Sequence, residues 1–398
     1  MVADDLIQAI QKVLELENYQ KKIFLHEPFF KDTLAKYYVQ DCIESGWVSS
    51  AGEYVKKFEE SISKFTGAKY VVAVNNGTAA LRLGLYLLNV KPNDEVITSP
   101  LSFVATANAI SHLGAIPNFV DIEKTSLGIS PESLDLYLNE IAEVKKEGVI
   151  NKKSGRFIRA ILPIHIFGNP AKILEIKIIA DKWGIPIIED AAEALGSGIL
   201  INNKKIHCGL FGELGIISFN GNKIITTGGG GAIITNNKAI ASRAKHLSTT
   251  AKKAHPWEFF HDEIGWNDRL PNINAALGLS QMEVLEERLN KKKSLHLKYI
   301  EVFSEFDQIE IVKARNNDFS NNWLITLRLL NDDQKLIKMQ RDEILKKAHN
   351  SNIFIRPAWE LLNKLPMYEN NPTQKTNIAF DQINRLINLP SSPQLFGK

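Results

Sequence analysis

Cysteine is scarce, with Cys42 and Cys208 the two in 398 residues. A disulfide framework or a thiolate metal cluster needs more, so both are excluded, and no metal site is expected. Apolar runs of the roughly 18 uncharged residues that cross a bilayer are missing as well. Neither sign of charge dominates: 48 Lys and Arg stand against 45 Asp and Glu, a net charge of +3. Nucleic-acid binders usually concentrate one sign, so neither nucleic acid nor membrane is an expected partner. The opening Met1-Val2-Ala3-Asp4-Asp5 is acidic and lacks the basic and apolar stretches of a secretory signal. The expected location is the reducing cytoplasm.

What the chain has is 44% hydrophobic and 23% charged residues, 24 Gly and 15 Pro, the make-up of a soluble enzyme of two to three domains. Leu6, Ile10, Val13, Leu14 and Leu16 recur near every 3.6 residues, which predicts a helix over 4–20. From Lys69 onward, short β-branched runs alternate with helical patterns. Strands are expected at 70–74, 95–98, 116–120, 160–166, 186–188, 216–219 and 232–235. The helices between them fall at 78–88, 103–113, 171–183 and 240–246. Such alternation implies βα crossovers and an α/β fold with a mostly parallel sheet covered by helices. Past about Asn272 the order changes to one long helix (274–303), strands at 309–312 and 323–330, a helix at 342–349 and an apolar run at 353–355. The expected division is an arm (1–25), a large α/β domain (26–272) and a small α+β domain (273–398). Lys291-Lys292-Lys293 reads as the solvated face of the long helix.

Chemistry in an open α/β sheet gathers at the carboxyl ends of strands. Three ends stand out. Asn75-Asn76-Gly77-Thr78 opens a helix, where free amides and the Thr78 hydroxyl form an anion site or a simple capped start. An apolar strand delivers Asp190, which either meets a cation or acts as a helix cap. Ser218-Phe219-Asn220-Gly221-Asn222-Lys223 then precedes a glycine run, Gly228 to Gly231. Lysines are mostly surface residues, but one set between an apolar strand and glycines is a candidate for imine chemistry. Taken in order, these are the needs of pyridoxal phosphate (PLP): a phosphate cradle, a carboxylate for the ring nitrogen and an amine for the aldehyde. His165, also at a strand end, either faces substrate or is a bonded core histidine.

The sequence resembles the DegT/StrS-type sugar aminotransferases, fold-type-I PLP enzymes, over about residues 26–393. The resemblance rests on Gly46-Trp47-Val48, Asn76-Gly77-Thr78, Pro100-Leu101-Ser102-Phe103-Val104-Ala105-Thr106, Glu189-Asp190-Ala191-Ala192, Ser218-Phe219-x-x-x-Lys223 and Gly265-Trp266-Asn267-x-Arg269. It implies that Lys223 binds the cofactor aldehyde and shuttles a proton, and that Asp190 pairs with the ring nitrogen. It further implies that Glu193 contacts the ring hydroxyl, Phe103 stacks on the ring, and Gly77, Thr78 and Ser218 hold the phosphate. Asn267 would reach the phosphate in the neighbouring subunit, making a homodimer with shared sites.

Asn220 to Gly231, His255-Pro256-Trp257-Glu258-Phe259, Arg356-Pro357-x-Trp359 and Lys364-Leu365-Pro366-Met367-Tyr368 carry a narrower resemblance. They look like the aminotransferases of the legionaminic-acid and related nonulosonate pathways. That implies amination at C4 of a UDP-linked 4-keto-6-deoxy-N-acetylhexosamine, with L-glutamate as donor. Trp47, His165, Arg356 and Asn363 are the expected substrate contacts, Asn363 standing where relatives have His. The alternatives are a GDP-4-keto-6-deoxymannose aminotransferase making perosamine, a sugar dehydratase and a non-catalytic regulator on the same fold. Dehydratases replace the lysine with His, and a regulator predicts a DNA-binding module or loss of Lys223 or Asp190. None of these features is present.

Overall fold

The computed structural model describes residues 3–15, 21–331 and 333–396. Its centre is one sheet of seven strands, formed where bridges Ile161–Ile187 and Ile164–Asp190 join a three-stranded to a four-stranded sheet. In space the strands run Ile116–Phe119, Glu95–Thr98, Ile158–Leu162, Ile188–Asp190, Leu214–Ser218, Gly231–Thr235, Tyr70–Val74. All are parallel except Gly231–Thr235, which runs against both neighbours.

Side chains alternate across each strand, so successive residues feed opposite layers. Val72, Val74, Ile216 and Ile233 pack under the helices Gly77–Leu87 and Lys238–Ser248. Ala73, Ile217, Ala232 and Ile234 meet Phe58 and Ile62 of the helix Glu53–Thr66, together with Ala275 and Ala276. Ile97, Ile161 and Ile187 are covered by the helices Pro131–Ile141 and Ile173–Trp183. Both faces are therefore buried, which is why these strands read as continuous apolar runs. The α/β fold expected from the alternation is the one observed.

The long helix expected over 274–303 is two, Asn272–Met282 and Leu285–Phe303, with Val284 leaving helical geometry at φ −111°. The second starts in the core of the first, at Leu285, and runs on into another. The first packs on Glu53–Thr66, while Leu295, Tyr299 and Phe303 of the second enter a separate cluster with the antiparallel strands Ile309–Ile311, Ile325–Leu329 and Leu386–Leu389. The N-terminal helix spans Ala3–Val13 and buries Leu6, Ile10 and Val13 in that same cluster. Residues 16–20, with Leu16, lie outside the described residues.

The expectation for the lysine run of the second helix is corrected. Lys292 does not belong to a solvated face: it is fully buried, and its Nζ donates to the carbonyl of Trp323 at 3.2 Å and to that of Ser391. At 100° per residue a run of three lysines must spread over most of the helix circumference. Lys291 takes the outer position and pairs with Glu287 at 2.8 Å.

Candidate active site

Strand register brings the three strand ends together. Ile216 is paired with Asp190 in the parallel ladder, so the Asp190 carboxylate and the Ser218–Lys223 segment emerge side by side. Ser218 in turn pairs with Gly231, and Gly231 with Val74, which places the start of the helix Gly77–Leu87 on the other flank. A Cβ on Gly231 would lie 2.6 Å from the Asn76 carbonyl carbon and 2.7 Å from the Gly77 nitrogen, and one on Gly77 would lie 2.9 Å from Ser218 Cβ. Glycine at these two positions is what lets strand and helix start touch.

Asn76 caps the helix, its Oδ1 accepting the Ala79 N–H at 2.8 Å. The amides of Gly77 and Thr78 have no acceptor within the helix, and Gly77 packs against the Ser218 side chain. Cap and anion site are therefore compatible: the side chain satisfies one amide and leaves two for a ligand.

Asp190 is 4% exposed. Its Oδ2 accepts from Thr106 Oγ1 at 2.8 Å and its Oδ1 from the Ala192 N–H at 3.2 Å. Burial pushes its pKa up, while these donors and the nearby Lys223 pull against burial. Such a group has unmet capacity for a cationic N–H partner. Thr106 also contacts Ser102 Oγ at 2.9 Å. It sits one turn after Phe103, whose ring is 51% exposed and meets Trp359 edge-on at 6.0 Å between centroids.

Lys223 has a side chain 12% exposed, its Nζ 3.4 Å from Glu193 Oε1. Glu193 is buried, and its Oε2 accepts the Phe167 N–H at 2.7 Å. Burial raises the Glu193 pKa against the pull of Lys223. Phe167 stands at φ +56°, a left-handed conformation costly for a bulky residue. Its bond to Glu193 and its 5.2 Å packing on Trp359 hold it there.

Not every expected residue joins this cluster. His165 is fully buried and its Nε2 meets Glu189 Oε2 at 2.9 Å, while Nδ1 accepts the Ala171 N–H at 3.1 Å. Burial disfavours a charged ring, and although Cys208 and Glu189 pull its pKa upward, the Ala171 bond fixes the neutral Nε2–H tautomer. With both nitrogens engaged inside the protein, His165 is a core histidine beneath the strand ends; the expectation that it touches substrate is corrected. Arg356 is exposed on a short strand paired with Leu386–Leu389. Asn363 is buried, donates to Thr376 Oγ1 at 3.2 Å and leaves its own Oδ1 unpartnered. Trp47 is exposed, its carbonyl held by Asn272 Nδ2 at 2.7 Å. Asn267 is exposed beside Asp268, which ion-pairs with Arg82 at 2.5 Å.

The sequence alone assigns no role to Thr106, Phe167, Asn321 or Trp323. Thr106 closes the Pro100–Thr106 motif, and its spacing from Phe103 is the available signal. Asn321 Nδ2 donates to the carbonyls of Glu193 and Leu195 at 2.8 and 2.9 Å, contacts across more than a hundred residues that no local pattern announces.

The residues present suit PLP: two free amides and a hydroxyl for the phosphate, a half-exposed aromatic face, a buried carboxylate with spare acceptor capacity and an amine within one small volume. Fold and site together define a fold-type-I, PLP-dependent aminotransferase. Residues 31–398 match the DegT/DnrJ/EryC1/StrS aminotransferase family, and the chain belongs to that family. It is 34% identical over 375 residues to GDP-perosamine synthase of Vibrio cholerae, covering 93% of this chain and 94% of that one. It is 31% identical over 323 residues to UDP-4-amino-4,6-dideoxy-N-acetyl-beta-L-altrosamine transaminase of Campylobacter jejuni, covering 81% and 78%. Among solved structures, Helicobacter pylori PseC, an aminotransferase involved in the biosynthesis of pseudoaminic acid, superposes with a TM-score of 0.81 at 27% identity, over 93% and 94% of the two chains. The protein is a nucleotide-sugar aminotransferase that depends on PLP. No helix among the described residues is long and apolar enough to cross a membrane.

Proposed function

We propose that the enzyme moves the amino group of L-glutamate to C4 of a UDP-linked 4-keto-6-deoxy-N-acetylhexosamine, for a nonulosonate such as legionaminic acid or a related surface glycan. The observation that carries the assignment of Lys223 is its little-exposed amine, held by Glu193 beside the buried Asp190. When bound, PLP supplies an aldehyde that an amine can capture and a ring that, protonated at nitrogen, accepts the electron pair of a breaking C–H bond. The Gly77 and Thr78 amides and the Ser218 and Thr78 hydroxyls hold its phosphate. Asp190, steadied by Thr106, keeps the ring nitrogen protonated. Phe103 covers the ring face, and Glu193 takes the side of the ring hydroxyl. Lys223 Nζ would hold the cofactor through its aldehyde and, as a free amine, would carry the proton from the donor's Cα to the other side of the transfer. Trp47, Arg356 and Asn363 are assigned to the sugar nucleotide.

A homodimer completes the site in this reading, with Asn267 of each copy serving its neighbour. In support, Asn267 follows an exposed stretch in which Trp257, Phe259 and Ile264 are 76%, 79% and 87% exposed, apolar surface of the kind an interface covers. Two buried free thiols suit a cytoplasmic enzyme. A second reading, transfer to GDP-4-keto-6-deoxymannose, is favoured by the likeness to the Vibrio enzyme.

Borohydride reduction of the loaded enzyme followed by peptide mass mapping tests the core assignment: the pyridoxyl group is expected on Lys223, and its appearance elsewhere would overturn it. Parallel assays with UDP- and GDP-linked keto sugars separate the two readings.

A further inference from the structure

A tryptophan from outside the three strand ends lies on the lysine that captures the cofactor. Lys223 Nζ is 3.8 Å from the centroid of the Trp323 ring. The indole Nε1–H of the same residue donates to the carbonyl of Asn222, the residue before Lys223, at 2.6 Å. One side chain thus grips Lys223 at both its backbone and its amine.

Trp323 is itself fixed. It is 1% exposed, its N–H donates to Asn321 Oδ1 at 2.8 Å, and its carbonyl accepts from Ser391 Oγ at 2.8 Å and Lys292 Nζ at 3.2 Å. Asn321 bonds the Glu193 carbonyl at 2.8 Å, and the Glu193 carboxylate stands 3.4 Å from the Lys223 amine. Glu193, Asn321, Trp323 and Lys223 therefore close a ring of contacts. A four-carbon stem has many rotamers to lose, and a single carboxylate contact at 3.4 Å is a loose restraint on them. An aromatic face on a largely desolvated ammonium adds a second restraint from another direction.

We propose that Trp323 is a positioning residue for the transamination: its ring and indole N–H keep the Lys223 stem in the rotamer from which the amine captures the cofactor, and take the amine back each time it is released. This rests on the reading of Lys223 as the capturing amine.

The test uses full-length wild type, Trp323→Leu and Trp323→Phe, stripped of cofactor and reloaded with PLP. Stopped-flow absorbance gives the capture rate, visible circular dichroism reports how rigidly the cofactor is held, and steady-state assays separate kcat from KM. Trp323→Leu is expected to capture PLP about tenfold or more slowly, with a weakened dichroic band and a fall in kcat rather than a rise in KM. Trp323→Phe keeps a ring face and is expected to fall between the two, by about threefold. A folded Trp323→Leu with wild-type capture and an unchanged band would overturn the proposal. Should Trp323→Leu not fold, wild-type values in Trp323→Phe and Trp323→Tyr would overturn it equally. Reduction that labels a different lysine in the wild type would instead sink the assignment of Lys223, a result separable from all of these.

Discussion

Thr106→Val isolates one hydrogen bond to the buried Asp190. The change is nearly isosteric in shape and removes the hydroxyl that donates to Oδ2 at 2.8 Å, leaving the longer 3.2 Å bond from the Ala192 amide. A hydrogen bond to a charged group contributes about 1.5–3 kcal/mol. Burial already raises the Asp190 pKa, and Thr106 is the largest of the influences opposing it, so the variant's carboxylate is a poorer partner for a cationic ring nitrogen. If most of that energy is felt as charge develops on the ring, the donor half-reaction slows by about 10- to 100-fold, since roughly 1.4 kcal/mol is a factor of ten. The assay is single-turnover absorbance with L-glutamate, which needs no nucleotide sugar, at saturating PLP so that binding is held apart from chemistry. Thr106→Ser, which restores the hydroxyl, is expected to recover most of the rate. Wild-type kinetics in Thr106→Val would refute the idea that Asp190 depends on this donor.

Gly231→Ala is expected to cost about 1–3 kcal/mol of stability and to weaken PLP binding at least tenfold, because its Cβ meets the Asn76–Gly77 backbone rather than a movable side-chain end; denaturant titration and equilibrium PLP binding check both. His207 Nε2 accepts the Gly196 N–H at 2.8 Å, and burial holds its pKa down to about 4. The unfolded chain takes up a proton near pH 6.5 while the folded ring stays neutral, so stability present above pH 6.5 is lost as pH falls toward 4. The loss is about 3 kcal/mol; a His207→Gln variant with the same decline in urea stability would contradict it. For Lys292, burial pushes the pKa well below the usual lysine value, so the unfolded state binds the extra proton and stability climbs with pH from the folded value toward about 10.4. Lys292→Met is expected to flatten that climb in pH-dependent denaturation.

The fold was legible wherever one rule sufficed. Strands 70–74 and 95–98 have the bounds their β-branched runs suggest, because a strand buried on both faces leaves a continuous apolar signature. What sequence could not carry was pairing. Gly231–Thr235 is as apolar as its neighbours, yet it runs the other way. The hairpins Ala142–Lys145 with Gly148–Asn151 and Gly198–Ile201 with Lys204–His207 are too short and mixed in polarity to stand out from loops. The second helix starts at Leu285 in the core of the first and ends in another, so the break at Glu283–Val284 redirects the chain between two cores, a tertiary feature invisible to a periodicity that continues through it.

At the site the same division holds, between groups at strand ends and the side chains packed around them. Gly77, Asp190, Ser218 and Lys223 lie at strand ends and turns, positions where a glycine or a polar residue breaks the apolar pattern. Thr106 holds Asp190 from 84 residues away and Trp323 holds the Asn222–Lys223 segment from 101, while Phe167 and Asn321 act on the neighbouring Glu193. His165 shows the converse. It too sits at a strand end, but residue type and position cannot say which way a ring faces, and here it turns inward to Glu189. A site read from strand ends alone is thus expected to find the polar groups that converge there, to miss those packed around them from distant sequence, and to admit an occasional core residue in their place.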